Sequence, residues 1–524
     1  MDWERFRKYL YHNSQLGLML DVSRINFTED YLAQKATLLK KAVQDMADLE
    51  KGALANPDEE RMVGHYWLRN PSLAPTKEIS SDIEITISKI KEFATRIHQG
   101  QLKAPTGQMF SNVILVGIGG SALGPQFVSA ALSTGQEKMA LYFLDNTDPE
   151  GMDLTLSKVI NHLAETLVIV ISKSGGTVET RNGMLEVKKA YQDKGISFAN
   201  HFVAVTQEGS ALDGIAVQEG WLERFPMWDW VGGRTSEMSA VGLLPLALQG
   251  FDLDSMLKGA AACDEATRNP DLHNNPAALM ALMWLLATSG QGGTDLVILP
   301  YKDRLQLFAK YLQQLVMESL GKEKDLAGQT VHQGIAVFGN KGSTDQHSYV
   351  QQLLDGPTNV LITFVEVLKD RSGPSLEVEK DVTSGDYLAA FLQGTRRALA
   401  ERGKGSITIT VPEVNAYCLG MLIALFERTV GLYANMVNIN AYHQPAVESG
   451  KRGAQLTIDI QVAALAYLRS KPGQAFTAEE VAKGMGKESE IETIFKILEH
   501  AGSNPDHGVK RQEEVPIYNN KYSI

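Results

Sequence analysis

The spacing of apolar residues changes along the chain and predicts two kinds of structure. Residues 1–100 carry apolar residues at helical spacing, as in "DYLAQKATLLKKAVQDMADLEKG" and "SDIEITISKIKEFATRIHQG". A period of about 3.6 residues predicts amphipathic helices. From about residue 110, short apolar runs alternate with amphipathic segments, which is typical of βαβ units and predicts a doubly wound parallel sheet.

Two sets of these apolar runs are separated by a predicted helical bridge near residues 255–290. The first set is "SNVILVGIG", "ALYFLDN", "TLVIVISKSGG" and "FVAVTQEG", and the second is "TDLVILPYKD", "IAVFGNKGSTD", "NVLITFVEV" and "KGSITITVPE". The repeated order of elements predicts two α/β domains in tandem. We predict a helical N-terminal segment at 1–100, a first α/β domain at 101–270, a second at 271–460, and a helical C-terminal extension with a tail at 461–524.

Composition and charge narrow the function classes. The 524 residues are 44% hydrophobic and 21% charged, with a formal net charge of −12, so the balance is ordinary for a globular protein. The negative charge argues against binding to nucleic acid or to an anionic membrane surface. An anionic substrate therefore has to be held by local donors.

The chain also lacks the signs of export, membrane insertion or a zinc site. Its first twenty residues have no apolar signal-peptide core, and the longest uncharged apolar stretches, such as "NNPAALMALMWLLATSG", are shorter than a membrane span. Cys263 and Cys418 are interpreted as buried thiols in a reducing compartment. No CxxC or HExxH spacing occurs. We therefore expect a cytoplasmic protein with no membrane segment.

A glycine-rich loop follows the first predicted strand. In "VILVGIGGSALGP", Gly117, Gly119 and Gly120 stand between a strand pattern and a helix pattern. The loop fits the dinucleotide fingerprint G-x-G-x-x-G/A, and Asp145 follows at the end of the next apolar run. Such a turn lets backbone N–H groups approach an anion, but the motif does not say which anion. Glycines of a tight turn without a ligand are the alternative.

A second loop contains hydroxyl groups at the start of a predicted helix. The segment "TLVIVISKSGGTVETRNG" places Ser172, Lys173, Ser174 and Thr177 after a strand. Hydroxyls and a glycine pair at a helix N-terminus form a suitable cradle for one compact phosphate. A helix cap followed by a turn explains the segment equally well.

An arginine and a pair of residues on one predicted helix are further candidates. Arg234 follows Gly232 and Gly233, whose small size lets a guanidinium approach a ligand and stabilise an oxyanion. In "YKDRLQLFAKYLQQLVMESLGKEKD", Gln314 and Glu318 are i, i+4 partners beside an apolar stripe, so they can face one cavity. A surface turn and a solvent-exposed glutamate are the alternatives.

Two later segments also carry groups that can transfer protons or bind anions. His347 lies in the polar loop "GNKGSTDQHSYVQQL", where an imidazole can exchange protons near neutral pH. In "NAYHQPAVESGKRG", Pro445 suits the first position of a helix. That helix would place Gln444, Glu448 and Lys451 on one face. A histidine that only forms hydrogen bonds at the surface is the alternative for the first segment.

Taken in order along the chain, these motifs resemble the glucose-6-phosphate isomerase (phosphoglucose isomerase) family, whose members contain two sugar isomerase (SIS) domains. The resemblance extends from about residue 60, where "HYWLRNPSLAP" adds a further match, to about residue 455. It implies two αβα-sandwich SIS domains with parallel sheets. It also implies reversible conversion of glucose 6-phosphate to fructose 6-phosphate through a cis-enediolate, in glycolysis and gluconeogenesis, without an organic cofactor or a metal.

The resemblance implies a role for each candidate residue. Glu318 is expected to move the proton between C1 and C2, Arg234 to stabilise the enediolate, and His347 to open the sugar ring with assistance from Lys451. The residues expected to contact the substrate are Gly120, Ser121, Ser172, Lys173, Ser174, Thr177, Gln314 and Gln444. The family's histidine reaches the site from a partner subunit, so a homodimer is expected.

Three positions depart from the usual family motifs. The chain has Thr235 after Gly-Gly-Arg, Leu320 after Met-Glu-Ser, and His443 in the last motif.

Two other function classes stay open. A dehydrogenase that binds NAD at the glycine loop would give no role to Glu318 or His347. A non-catalytic regulator that binds a sugar phosphate would keep the phosphate loop but would not need the acid–base residues.

Overall fold

The computed structural model of the protein describes residues 3–524, with residue 448 described by its backbone only. These residues form two compact units, the first ending at His443 and the second comprising Gln444–Ile524. The first unit contains residues 101–270, predicted as the first α/β domain, and residues 271–443 of the predicted second domain, whose last residues 444–460 belong to the second unit. The predicted division at residue 460 falls inside an unbroken helix, Pro445–Arg469, and the four-segment division stays a prediction.

The strands within residues 3–524 are β1 (Leu10–Asn13), β2 (Leu18–Asp21), β3 (Asn112–Val116), β4 (Ala140–Leu144), β5 (Thr166–Ile171), β6 (Phe202–Thr206), β7 (Glu223–Pro226), β8 (Asp295–Pro300), β9 (Lys322–Lys324), β10 (Thr330–Gln333), β11 (Val337–Phe338), β12 (Val360–Val367), β13 (Glu377–Glu379), β14 (Val382–Thr383), β15 (Ser406–Val411), β16 (Lys510–Gln512) and β17 (Lys521–Ser523). The α-helices of the same residues are α1 (Trp3–Tyr9), α2 (Glu29–Glu50), α3 (Lys77–His98), α4 (Leu123–Leu132), α5 (Pro149–Ser157), α6 (Val178–Asp193), α7 (Ala211–Gln218), α8 (Ala240–Leu248), α9 (Leu253–Thr267), α10 (Pro276–Ala287), α11 (Phe308–Leu312), α12 (Val350–Asp355), α13 (Ser384–Glu401), α14 (Ala416–Met436), α15 (Pro445–Arg469), α16 (Ala478–Gly484) and α17 (Ile491–Ser503).

The first sheet has the strand order β4-β3-β5-β6-β7, and all of its strands are parallel. Strands β3 to β6 coincide with the first set of predicted runs. Alternate residues of β3 face two different cores: Val113 and Leu115 pack in the main core, whereas Ile114 and Val116 pack beneath α5, α6 and α7. Because both of their faces are covered, the central strands β3, β5 and β6 are mostly apolar, as expected for a doubly wound sheet, whereas the edge strand β7 contains Glu223 and Arg224.

The second sheet combines parallel strands with an N-terminal hairpin. Its order is β1-β2-β15-β12-β8-β11, in which β8, β11, β12 and β15 are parallel and the hairpin β1-β2 is antiparallel to β15. The expectation that residues 1–100 are helical is wrong for residues 10–21. Gly17 turns the hairpin at a φ of 70°, and the hairpin pairs with β15, a distant strand that no local pattern reveals. The expected helices at α2 and α3 are confirmed.

Helix α14 crosses the main core of the first unit. It is long and apolar enough to span a membrane by length and composition, but it is almost entirely buried inside the protein. It also contains Glu427 and Arg428, which are buried in a charge network with Arg69 and Asp264. Both cysteines are buried and free, which confirms the interpretation of their thiols as core residues.

The second unit has its own small core. Helices α15, α16 and α17 contribute Leu465, Leu468, Val481, Ile494 and Leu498 to one apolar cluster. The structure also contains the short hairpin β16-β17, which the sequence patterns do not predict.

Candidate active site

The two anion-binding candidates lie side by side at the carboxyl edge of the first sheet. The glycine loop follows β3 and leads into α4, and the hydroxyl-rich loop follows β5 and leads into α6. Strands β3 and β5 pair from Asn112 and Thr166 to Val116 and Val170, so their ends are adjacent. Ligands bind outside the carboxyl ends of the strands in open parallel sheets. Both predicted strand–loop–helix arrangements are confirmed.

The glycine loop packs closely against the segment that carries Arg234. A Cβ on Gly120 would lie 2.0 Å from the carbonyl oxygen of Gly233, so no side chain fits there. Gly119 has a φ of 59°, and a Cβ on it would lie 3.2 Å from Nε2 of Gln314. These protein contacts account for both glycines without a dinucleotide. Asp145, the ribose ligand of that interpretation, accepts a hydrogen bond from Gln126 at 2.7 Å.

The hydroxyl-rich loop folds around its own backbone N–H groups. Oγ of Ser172 accepts a hydrogen bond from the N–H of Gly175 at 3.2 Å, and Oγ of Ser174 accepts one from the N–H of Gly176 at 3.2 Å. Thr177 occupies the N-cap position of α6, yet its side chain forms no capping bond within the described residues. The positive end of a helix lacking this cap is suited to an anion. The side chain of Thr177 is therefore not a cap, whereas the bonds of Ser172 and Ser174 fit the turn of the alternative interpretation.

Lys173 connects this loop to the segment before Arg234. Its Nζ donates to the carbonyl oxygens of Asp229 at 2.7 Å and Val231 at 3.1 Å. Burial lowers the pKa of Lys173, and the carboxylate of Asp229 opposes that shift. The ammonium group thus connects the loop after β5 to the segment of residues 229–231. It also adds positive charge beside the hydroxyl groups predicted to bind phosphate.

Arg234 forms the buried positive centre of the site. Its Nε donates to Oγ of Ser319 at 2.8 Å, its Nη2 donates to the carbonyl oxygen of Ala441 at 2.6 Å, and its Nη1 lies 3.3 Å from Oε2 of Glu318. Burial lowers the pKa of Arg234, while the charge of Glu318 raises it. Because an arginine stays protonated even so, the group presents a fixed positive charge next to the carboxylate.

Glu318 ends a wide helical turn. Residues Gln313–Glu318 form a π-helical turn after α11, a feature that often occurs at functional sites. Nε2 of Gln314 donates to Oε2 of Glu318 at 3.1 Å, which confirms the predicted i, i+4 pair. Leu315 and Val316 point into the core, so the turn leaves the polar pair facing the glycine loop and Arg234.

The structure brings most of the predicted site residues together. Those positioned along the loops after β3 and β5 and around Arg234 are Gly120, Ser121, Ser172, Lys173, Ser174, Thr177, Arg234, Gln314 and Glu318. His347 is not among them: it ends the short helical turn Thr344–His347 and is exposed. Its imidazole forms no hydrogen bond or ion pair with any described residue.

Gln444 and Lys451 belong to the second unit. Gln444 is the N-cap residue of α15, and Pro445 takes the first helical position as predicted. Lys451 follows two turns later in the same helix. The side chain of Glu448 lies outside the described residues. The contributions of Gln444 and Lys451 to the site stay predictions.

Lys322 is a site residue that the sequence patterns did not single out. Its Nζ donates to the carbonyl oxygen of Glu318 at 2.7 Å and to that of His443 at 3.0 Å. Burial and the charge of Arg234 lower the pKa of Lys322 to about 8. The signal was its position four residues after Glu318, although helical spacing alone does not distinguish it from surface lysines.

Comparisons with known proteins agree over most of the chain. A family model described as phosphoglucose isomerase matches residues 21–464. The glucose-6-phosphate isomerase of Geotalea daltonii is 58% identical over 520 residues, which cover 99% of this chain and 98% of the relative. That of Nostoc punctiforme is 57% identical over 513 residues, covering 98% and 97%. The crystal structure of a glucose-6-phosphate isomerase from Chlamydia trachomatis has a TM-score of 0.80 at 27% identity, covering 88% of this chain and 92% of that chain.

These matches confirm the predicted family and the predicted α/β fold with parallel sheets. The matched range includes the glycine loop, the hydroxyl-rich loop, Arg234 and Glu318. The chain belongs to the phosphoglucose isomerase family.

Proposed function

We propose that the chain is a glucose-6-phosphate isomerase, which interconverts D-glucose 6-phosphate and D-fructose 6-phosphate in glycolysis and gluconeogenesis. The observation that carries the proposal is the carboxylate of Glu318, which lies 3.3 Å from the guanidinium of Arg234 beside two loops suited to a sugar phosphate. The names of the relatives described above support the same reaction.

The pair of Glu318 and Arg234 suits an aldose–ketose isomerisation. The reaction requires one base that removes a proton from C2 and returns it to C1, so a single carboxylate has to reach both carbons. The side chain of Glu318 is 23% exposed, whereas that of Arg234 is 4% exposed. The carboxylate is therefore accessible to a substrate, and the buried guanidinium stabilises the negative charge of the enediolate oxygen.

The substrate's phosphate is held by the loop after β5. In this proposal Ser172, Ser174 and Thr177 donate their hydroxyl groups, and the N-terminus of α6 adds its N–H groups. Gly120 and Ser121 line the sugar, with Gln314 and Gln444 as further polar contacts. Among the residues whose side chains the structure describes, no group of three His, Cys, Asp or Glu is arranged to hold a metal ion.

The proposal includes a homodimer in which His347 opens the sugar ring of the partner subunit's substrate, with Lys451 assisting. The exposure of His347 and its lack of contacts with the described site residues support this assignment. Exposed aromatic side chains adjoin it: Gln346 donates to the carbonyl oxygen of Phe391, and the exposed rings of Phe391 and Tyr387 lie 6.2 Å apart. Apolar patches of this kind mark protein–protein interfaces.

A cytoplasmic location is also part of the proposal. Both cysteines are free and buried, as is usual where thiols stay reduced.

The test is an assay of the purified protein with glucose 6-phosphate, with fructose 6-phosphate formation followed by a coupled reaction. We expect turnover without added cofactor or metal, and we expect Glu318→Gln to abolish it while glucose 6-phosphate still binds. Binding without turnover in the wild type would favour the non-catalytic regulator instead. Binding of NAD with reduction of a sugar phosphate would favour the dehydrogenase. A parallel assay with mannose 6-phosphate measures substrate breadth.

A further inference from the structure

Lys322 lies beneath the proposed active site and contacts two of its segments. It is the first residue of β9 and is 5% exposed. Its Nζ donates to the carbonyl oxygens of Glu318 at 2.7 Å and His443 at 3.0 Å. The carbonyl groups at the end of a helical turn lack partners within the helix. Lys322 therefore supplies the partner for the residue that carries the reacting carboxylate.

Arg234 connects the same two segments. On one side it contacts Glu318 and Ser319, and on the other it donates to the carbonyl oxygens of Ala441 at 2.6 Å and His443 at 3.1 Å. The carbonyl oxygen of His443 thus accepts hydrogen bonds from both cations. Both cations therefore connect the segment of Glu318 to the segment of residues 441–443.

A buried ammonium group next to the guanidinium of Arg234 is electrostatically unfavourable, more so than a purely structural contact requires. The charged groups that face Lys322 are Arg234, Glu318 and Asp58. Burial and the charge of Lys322 in turn lower the pKa of His443. Burial and the positive charge of Arg234 lower the pKa of Lys322 to about 8. A neutral donor would join two carbonyl oxygens without placing a second cation next to Arg234. The positive charge therefore calls for a functional explanation.

We propose that Lys322 is a positioning residue for the isomerisation: its ammonium group bridges the carbonyl oxygens of Glu318 and His443 and so holds the proton-transferring carboxylate against Arg234. This inference rests on the proposed function. Lys322 acts through Glu318 and not by touching the substrate. Its charge also offsets the negative charge that the enediolate adds beside Glu318. A displacement of about 1 Å at a reacting group lowers rates by roughly 10²-fold.

The experiment compares Lys322→Met, Lys322→Arg and Lys324→Met with the wild type. Lys324 is the matched control because it belongs to the same strand and is exposed. We expect Lys322→Met to lower kcat by about 10²-fold and to leave KM within threefold, since the phosphate loop is untouched. Lys322→Arg should have a kcat at least tenfold higher than that of Lys322→Met, because a guanidinium also donates to two carbonyl oxygens.

The pH profile separates positioning by a charged group from simple packing. In the wild type we expect kcat to fall as pH rises through about 8, where Lys322 loses its proton. In Lys322→Arg that decline should disappear between pH 8 and 10, because arginine stays charged. Lys324→Met should keep both the wild-type rate and the wild-type profile.

The outcomes distinguish this inference from the proposed function. An inactive, folded wild type would overturn the proposed function and this inference with it. An active wild type together with a Lys322→Met variant whose kcat lies within twofold would overturn the inference alone. If Lys322→Met does not fold by circular dichroism, Lys322→Arg decides: an unchanged decline near pH 8 overturns the inference, and a decline displaced above pH 10 supports it.

Discussion

The guanidinium of Arg234 and the carboxylate of Glu318 lie 3.3 Å apart, although they belong to separate segments, Gly233–Thr235 and Gln313–Glu318. The first segment follows β7 of the first sheet, and the second follows β8 and α11, β8 being the first of the parallel strands of the second sheet along the chain. The pair therefore lies where the two α/β domains meet within the first unit. A buried cation beside an accessible carboxylate suits proton transfer with a developing negative charge.

Replacing the carboxylate with an amide should stop proton transfer while preserving the shape of the site. We expect Glu318→Gln to lower kcat by about 10²- to 10⁴-fold, with the Kd for glucose 6-phosphate changed little. Exchange of the C2 hydrogen with deuterated solvent, followed by NMR, should disappear. Glu323→Gln, an exposed residue nearby, is the control. Exchange at the wild-type rate in Glu318→Gln would show that another group is the base.

Removing hydroxyl groups from the loop after β5 should weaken phosphate binding. The double variant Ser174→Ala, Thr177→Ala loses two hydrogen bonds to a charged group, each worth about 1.5–3 kcal/mol. If these bonds are equally strong in the ground and transition states, KM should rise by at least tenfold with kcat little changed. Steady-state kinetics measure both, with the exposed Ser157→Ala as the control. An unchanged KM would place the phosphate elsewhere.

Adding a methyl group to Gly120 should separate the glycine loop from the arginine segment. The new Cβ would lie 2.0 Å from the carbonyl oxygen of Gly233, so the backbone must move. We expect Gly120→Ala to lower the free energy of unfolding by about 1–3 kcal/mol and to abolish activity. Gly214→Ala is the control, because its Cβ meets open space within α7 and alanine should raise stability by about 0.5–1 kcal/mol. Urea denaturation measures both; equal stabilities would contradict the close approach.

Mixing two inactive variants tests whether His347 acts across a dimer interface. In a heterodimer of His347→Ala and Glu318→Gln subunits, one site would combine the intact Glu318 of one subunit with the intact His347 of the other. We expect this heterodimer, purified through two different tags, to recover about half of the wild-type activity per dimer. A heterodimer that stays inactive would show that both residues act within one subunit. If light scattering shows that the wild-type protein is a monomer, the proposed homodimer is wrong.

Sequence patterns were sufficient for the parts of the protein that depend on neighbouring residues. The apolar runs of β3, β5, β8 and β12 are strands because each is buried on both faces. Local motifs also placed the two loops and the Gln314–Glu318 pair, since i, i+4 residues meet on any helix-like turn. The π-helical form of that turn was not predictable, because the spacing of apolar residues does not distinguish a π-helical turn from an α-helical one.

Contacts between segments that are distant in the sequence could not be predicted, because they depend on the order in which the strands pair. Residues 10–21 resemble a helical region locally, but they form a hairpin because β15 offers a free edge. In the sequence, Lys322 cannot be distinguished from a surface lysine. In the structure it is buried, because the distant residue His443 lies close to it and supplies a second carbonyl oxygen.

The sequence by itself determined the family, the alternation of strands and helices, and which residue types carry the chemistry. Only the tertiary structure decided that Gly120 of the first loop lies against the backbone of Gly233, a contact that accounts for a glycine there without a dinucleotide. It also decided that Arg234 is buried against Glu318, and that Lys322 belongs to the same site. The reason is physical: local periodicity reports which face of an element is buried, whereas distances between charges depend on how separate elements pack.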